Sequence, residues 1–229
     1  MAKTKAKRTQ QNNNLVIGIV IAAVVAAILL IGVNFLGLGP TNVTIDYANI
    51  PVTRTEDGAF VLGDPEAPLS LVIFEDYNCG FCQGYESTVK QFIKEYVETG
   101  LMKFEYRNLR TASPSDTIFR VAQCAGEQQP QRFFEFREEM FNLVTRNGWR
   151  DTTSPRQFAE RIGVDYNQIL DCVPTANQVA ADEALARQVN ATGTPFVLIR
   201  NASGAIAPVP GQAPSFRDLK TFLDAQLGR

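Results

Sequence analysis

The longest apolar stretch of the chain comes first. From Leu15 to Val33 no polar side chain interrupts it, and after Asn34 it continues to Leu38. About 20 apolar residues, rising 1.5 Å each, cross a hydrocarbon layer of about 30 Å, whereas the apolar part of a cleaved leader is usually about 7 to 15 residues. An uncleaved anchor over 15–38 is therefore expected. Lys3, Lys5, Lys7 and Arg8 stand in the 1–14 tail, and the positive-inside tendency keeps them cytoplasmic and puts everything after Pro40 on the outer side.

Beyond a linker over 39–58 the pattern shortens. Ala59 to Leu62 is a strand candidate, "GDPEAPLS" a turn, and "LSLVIFEDY" (69–77) a near-continuous apolar, β-branched run of the kind found in a central strand buried on both faces. From Phe81 on, Tyr85, Val89, Phe92, Ile93 and Tyr96 recur at helical spacing until Gly100. Met102, Phe104 and Tyr106 then alternate with polar residues as in a strand. Strand, helix, strand is a βαβ unit.

Residues 113–190 read as several short helices. Ser154-Pro155 has the form of a cap followed by a first-turn proline, and Gly126 and Gly163 are candidate helix stops. Phe196 to Arg200 and Ala205 to Val209 form a hairpin around Asn201 to Gly204. Ser215 and Asp218 have capping-box spacing for a last helix, with Leu219, Phe222, Leu223 and Leu227 on its apolar face. The fold class is α/β.

Charge and cysteine content narrow the function. Four of the 22 basic residues lie in the tail, which leaves 18 against all 24 acidic ones and a net of −6 for the remainder, so nucleic-acid binding is not expected. Outside the cytosol thiols meet an oxidising environment, and four cysteines can make two disulfides, or one disulfide and a redox pair. With a single CxxC, two isolated cysteines and no histidine, neither a zinc site nor any other cofactor is expected.

The candidate chemistry lies in "DYNCGFCQGYES" (76–87), where the apolar strand gives way to the helix. Unpaired N–H groups and the positive end of the helix dipole stabilise a thiolate there, so Cys79 is the candidate nucleophile. Cys82, one turn further in, is placed to attack a mixed disulfide on Cys79 and close the intramolecular bond. Glu75 and Asp76 are candidate proton-transfer groups, each with the alternative of a simple exposed or capping carboxylate.

That segment, together with "CAGEQQPQRFFEFREEMF" and "NATGTPFVL", resembles the DsbA-like thiol-disulfide oxidoreductases over about residues 56–227. The resemblance implies a thioredoxin fold split into 59–112 and 191–229 by a helical insert at 113–190. It makes Cys79 and Cys82 the redox pair, and Thr194-Pro195 a Thr-cis-Pro loop whose backbone pairs with an extended substrate peptide. It also implies a structural disulfide between Cys124 and Cys172, with two free thiols or an auxiliary redox pair as alternatives. Two positions depart from the family. Phe81 stands where strongly oxidising members have histidine, which brings "CGFC" closer to the CGYC of bacterial isomerases, and Ile73 stands where thioredoxins have a buried acid.

The function so implied is introduction of disulfides into exported proteins at the outer face of a bacterial cell membrane, with a quinone-linked membrane partner as reoxidant. Alternatives are a reductase or isomerase held reduced by a membrane electron donor, and a non-catalytic binding module or membrane-complex subunit.

Overall fold

The computed structural model describes residues 43–111, 115–147 and 154–229. The basic tail and the anchor expected over 1–38 lie outside the described residues. Among the described residues no helix is long and apolar enough to cross a membrane.

Part of the stretch expected to be a linker is structured. Ile45, Tyr47 and Ile50 are buried in the main core around a 3-10 turn at Tyr47–Asn49, and β1 (Val52–Arg54) follows. A strand of three residues shows no periodicity of its own. It is defined by antiparallel pairing with β2 (Phe60–Leu62), Val52 opposite Leu62, which corrects the 39–58 linker reading.

Next come β3 (Leu69–Glu75), α1 (Gly80–Phe92) with a wider π turn at Ile93–Val97, and β4 (Lys103–Asn108). The expected βαβ unit is present, with β3 and β4 paired in parallel from Ser70↔Lys103 to Glu75↔Asn108. Five helices occupy the insert among the described residues: α2 (Asp116–Gln128), α3 (Pro130–Asn147), α4 (Ser154–Arg161), α5 (Tyr166–Cys172) and α6 (Gln178–Gln188). β5 (Phe196–Asn201) and β6 (Ile206–Pro208) make the hairpin, and α7 (Phe216–Gln226) ends the chain with Ser215 as its cap, accepting from the Asp218 N–H.

The sheet runs β1-β2-β4-β3-β5-β6, with β3 antiparallel to β5. β3 has neighbours on both sides and side chains buried on both faces. Leu71 and Ile73 join the larger cluster, while Val72 and Phe74 join the smaller one with Ala186 of α6. Period-two alternation therefore assigns the next odd residue, Glu75, to the larger cluster's side.

Gly126 is not a helix stop. It lies inside α2, where an added Cβ would come within 2.4 Å of the Phe60 ring, and that ring stacks on Phe133 at 4.1 Å between centroids. Glycine is the residue that admits this stack. Gly163 does follow α4, with φ of 72°. Cys124 and Cys172 are bonded, joining α2 to α5. Closing a loop with a sequence separation of 48 removes unfolded-state entropy equivalent to about 4 kcal/mol in the chain-entropy account.

Candidate active site

Asp76 organises the turn that delivers the cysteines to the start of α1. Its backbone oxygen accepts from the Cys79 N–H at 3.0 Å. Its carboxylate accepts from the Asn78 N–H at 2.9 Å, from the Thr111 N–H at 2.8 Å and from the Ser115 hydroxyl. The turn is thereby tied to the loop after β4 and to the entry of α2. Cys79 takes an extended conformation as the N-cap of α1, where the free N–H groups of the first turn face outward.

The two thiols are free and differently placed. Cys79 is half-buried, and its thiol donates to the carbonyl of Thr194 at 3.3 Å. Cys82 is wholly buried. Burial above all, then the charge of Glu75, pushes the Cys82 thiol up. A backbone hydrogen bond at Asp76 and the Thr194 hydroxyl act in the opposite direction. The Thr194-Pro195 bond is cis, and the Gln212 amide donates to the Pro195 carbonyl at 3.2 Å. Beside this loop runs an open groove lined by Phe81, Gly84, Tyr85, Thr194, Pro195 and Ala213. Phe81 is 84% exposed, so it belongs to the groove and not to the buried face of α1 with which its spacing grouped it.

Glu75 is neither an exposed carboxylate nor a cap. It is fully buried, and its Oε2 accepts from Arg137 Nη2 at 2.6 Å and Nε at 3.1 Å. Arg137 also binds Glu86 of α1, at 2.8 and 3.1 Å. One guanidinium thus faces two buried carboxylates, and Glu75 Oε1 has no hydrogen-bond partner. Burial pushes the Glu75 carboxyl up to about 7; Arg137 opposes this and the Glu86 charge adds to it. Glu86 is raised as well, first by burial. A carboxyl that titrates near neutrality behind a buried thiol can exchange a proton with it. Glu75 shares a sheet face with Ile73, the family's usual acid position, and stands two residues nearer Cys79.

The Thioredoxin family model matches residues 55–225. The chain belongs to the thioredoxin family. It is 26% identical over 160 residues to Disulfide bond formation protein D of Bacillus subtilis, across 63% of this chain and 68% of that protein. It is also 30% identical over 145 residues to the Na(+)/H(+) antiporter NhaA 1 of a Mycobacterium species, across 60% of this chain but only 23% of the antiporter's length. Its fold is similar to that of Wolbachia pipientis alpha-DsbA1, with a TM-score of 0.65 at 17% identity over 76% of this chain and 94% of the other. The chain is thus similar in sequence to a disulfide bond formation protein and in fold to a DsbA protein.

The structure brings Cys79, Cys82, Thr194, Pro195, Glu75 and Asp76 together, while the Cys124–Cys172 bond lies among the insert helices. Glu86, Arg137 and Thr111 are neighbours of this group that sequence reasoning missed. A signal for one of them existed. Arg137 falls on the stripe Phe133, Phe134, Met140, Phe141 at spacings of three and four, so a charge sits where the helix faces the core.

Proposed function

We propose that the protein is a membrane-tethered thiol-disulfide oxidoreductase that introduces disulfides into exported proteins through Cys79 and Cys82. The observation that carries this reading is the pairing of a half-exposed Cys79, aimed at the Thr194 carbonyl, with a buried Cys82 backed by Glu75. A substrate thiolate attacks the Cys79 sulfur of the Cys79–Cys82 disulfide, and Cys82 leaves as a thiolate that takes a proton from Glu75. A second substrate thiolate attacks the substrate sulfur of the mixed disulfide and expels the Cys79 thiolate. The substrate leaves oxidised by two electrons, and the enzyme is reduced by two.

The exposed Phe81 and the groove along Pro195 suit an extended, partly apolar peptide whose backbone pairs at Thr194. The catalytic domain then works on the extracytoplasmic side of a bacterial membrane, held by the apolar 15–38 segment. A quinone-linked membrane oxidase restores its disulfide.

A second reading, reductase or isomerase with a membrane electron donor, is favoured by one feature. The residues between the cysteines, Gly80 and Phe81, carry no ionisable group to stabilise a thiolate. The equilibrium reduction potential of Cys79–Cys82 against glutathione, with Cys124–Cys172 intact, separates the two. A value near about −120 to −180 mV supports a disulfide donor, and one near about −270 mV a reductant.

A further inference from the structure

The loop between β6 and α7 carries a side chain that the dithiol chemistry leaves unused. Gln212 is exposed, yet it is held at two points. Its backbone carbonyl accepts from the Val197 N–H at 3.0 Å, at the start of β5, and its side-chain Nε2 donates to the Pro195 carbonyl at 3.2 Å. A carbonyl can only accept, so this contact fixes which end of the amide is which: the NH2 faces Pro195, and Oε1 is the other end. Oε1 has no hydrogen-bond partner among the described residues.

Gln212 also lines the groove beside the cis-proline loop, a space of about 460 Å³. Most of that lining is apolar: Phe81, the Tyr85 ring, Pro195 and Ala213, with Gly80 and Gly84 on the α1 side, where an added Cβ would meet nothing within 4 Å. The other polar side-chain groups along it are engaged or out of reach. The Thr194 hydroxyl pairs with Thr111 Oγ1 at 2.8 Å, and the Tyr85 hydroxyl is shut inside the protein. By elimination, the Gln212 amide oxygen is the free side-chain acceptor of the groove. An extended peptide with its cysteine at Cys79 and its backbone paired at Thr194 runs along this groove. Its N–H groups leave water there, and one left without a partner costs more than a made hydrogen bond gains.

We propose that Gln212 is a substrate-binding residue: with Nε2 fixed on the Pro195 carbonyl, its Oε1 accepts a backbone N–H of the extended substrate peptide, beyond the pair made at Thr194. The proposal rests on the reading of Cys79 and Cys82 as a reactive dithiol that takes protein substrates. A backbone N–H is present whatever the substrate's side chains are, which suits an enzyme acting on exported proteins of differing sequence. Because the amide is already tied at its other end, little side-chain freedom is lost when the peptide arrives.

The test is a single turnover of the oxidised full chain, in excess over a two-cysteine peptide. The peptide passes two electrons to the Cys79–Cys82 disulfide and closes its own, and the oxidised fraction is read by mass after acid quenching at a series of protein concentrations. Gln212→Met keeps the length of the side chain and removes the amide. It is predicted to raise the half-saturating protein concentration about three- to tenfold with the limiting rate little changed. Oxidation of dithiothreitol, which has no peptide bond, is predicted to keep its wild-type rate. Peptides N-methylated at one amide at a time supply a second arm. At one position near the cysteine, methylation is predicted to weaken the wild type by a similar factor and to cost Gln212→Met nothing further. Unchanged half-saturation in Gln212→Met, equal losses with peptide and dithiothreitol, or no methylated position whose effect disappears in the variant overturns the proposal while leaving the dithiol intact. A wild-type protein that oxidises neither probe overturns both.

Discussion

Two buried ion clusters lie on opposite faces of the sheet, and they differ in balance. On the α6 side, Arg107 binds Glu105, Asp182 and Asp57, and Arg200 makes a two-point pair with Glu105. Asp182 spends its remaining capacity on the Asn108 N–H, the Asn108 amide and Gln178. Two cations thus meet two buried anions, and the third anion, Asp57, is 43% exposed at the rim. On the α3 side one cation, Arg137, meets two buried carboxylates, and Glu75 Oε1 has no partner. The balanced cluster joins the insert to β4. The unbalanced one lies behind Cys82 and holds a carboxyl poised near 7. The difference teaches that buried charge becomes reactive where one ionisation is left uncompensated.

The largest expected effect comes from breaking the balanced side. Arg107→Leu leaves Asp182 without its cation in the interior and should destabilise the fold by about 3 to 5 kcal/mol in urea melts. The reduction potential of the dithiol should stay at its wild-type value. Glu75→Gln does the reverse: Glu86 continues to hold Arg137, so the fold persists, while closure of the Cys79 mixed disulfide should slow by about tenfold to a hundredfold for want of the proton acceptor.

The same variant exposes a pH signature. The Glu75 carboxyl stands at about 7 in the folded protein against an ordinary 4.5, so the folded state binds more protons between those values than the unfolded one. Its contribution to stability therefore falls as pH rises through that window. The stability of Glu75→Gln relative to wild type should climb from about pH 4.5 to about pH 7 and level off above it. The smallest effect belongs to the surface margin of the balanced side. The Arg110 side chain is 48% exposed where it meets Glu183, and Arg110→Ala should cost about 0 to 1 kcal/mol, less in high salt.

Much of this architecture could be read from local pattern. The β3 run, the helix that follows CxxC, the β5–β6 hairpin and the Ser215 cap each rest on residues within a dozen positions of one another. β1 escaped because three residues carry no period and its strand character comes from β2. The redox pair and the Thr194-Pro195 loop were legible through the family resemblance. The acid was ambiguous because Glu75 ends a strand, and an end residue is exposed or buried according to what covers it. What covers it is α3, with Arg137 62 positions away in sequence. Thr111 was invisible for the same reason, since its partners Asp76 and Thr194 are 35 and 83 positions distant. Alternation along β3 did hold one unused clue: Leu71, Ile73 and Glu75 share a face, so an acid was directed into the core one pleat beyond the usual position.

The proposed function depends most on Cys79 carrying the mixed disulfide with the substrate and Cys82 being the cysteine that leaves or resolves it. The direct measurement is covalent trapping, with Cys79→Ser and Cys82→Ser variants of the full chain each incubated with an unfolded, cysteine-containing protein under mildly oxidising conditions. Disulfide-linked adducts are then resolved on non-reducing gels. The predicted result is stable adducts from Cys82→Ser, formed through Cys79, and none from Cys79→Ser, whose remaining thiol is buried. Adducts from neither variant, or adducts from Cys79→Ser alone, would contradict it.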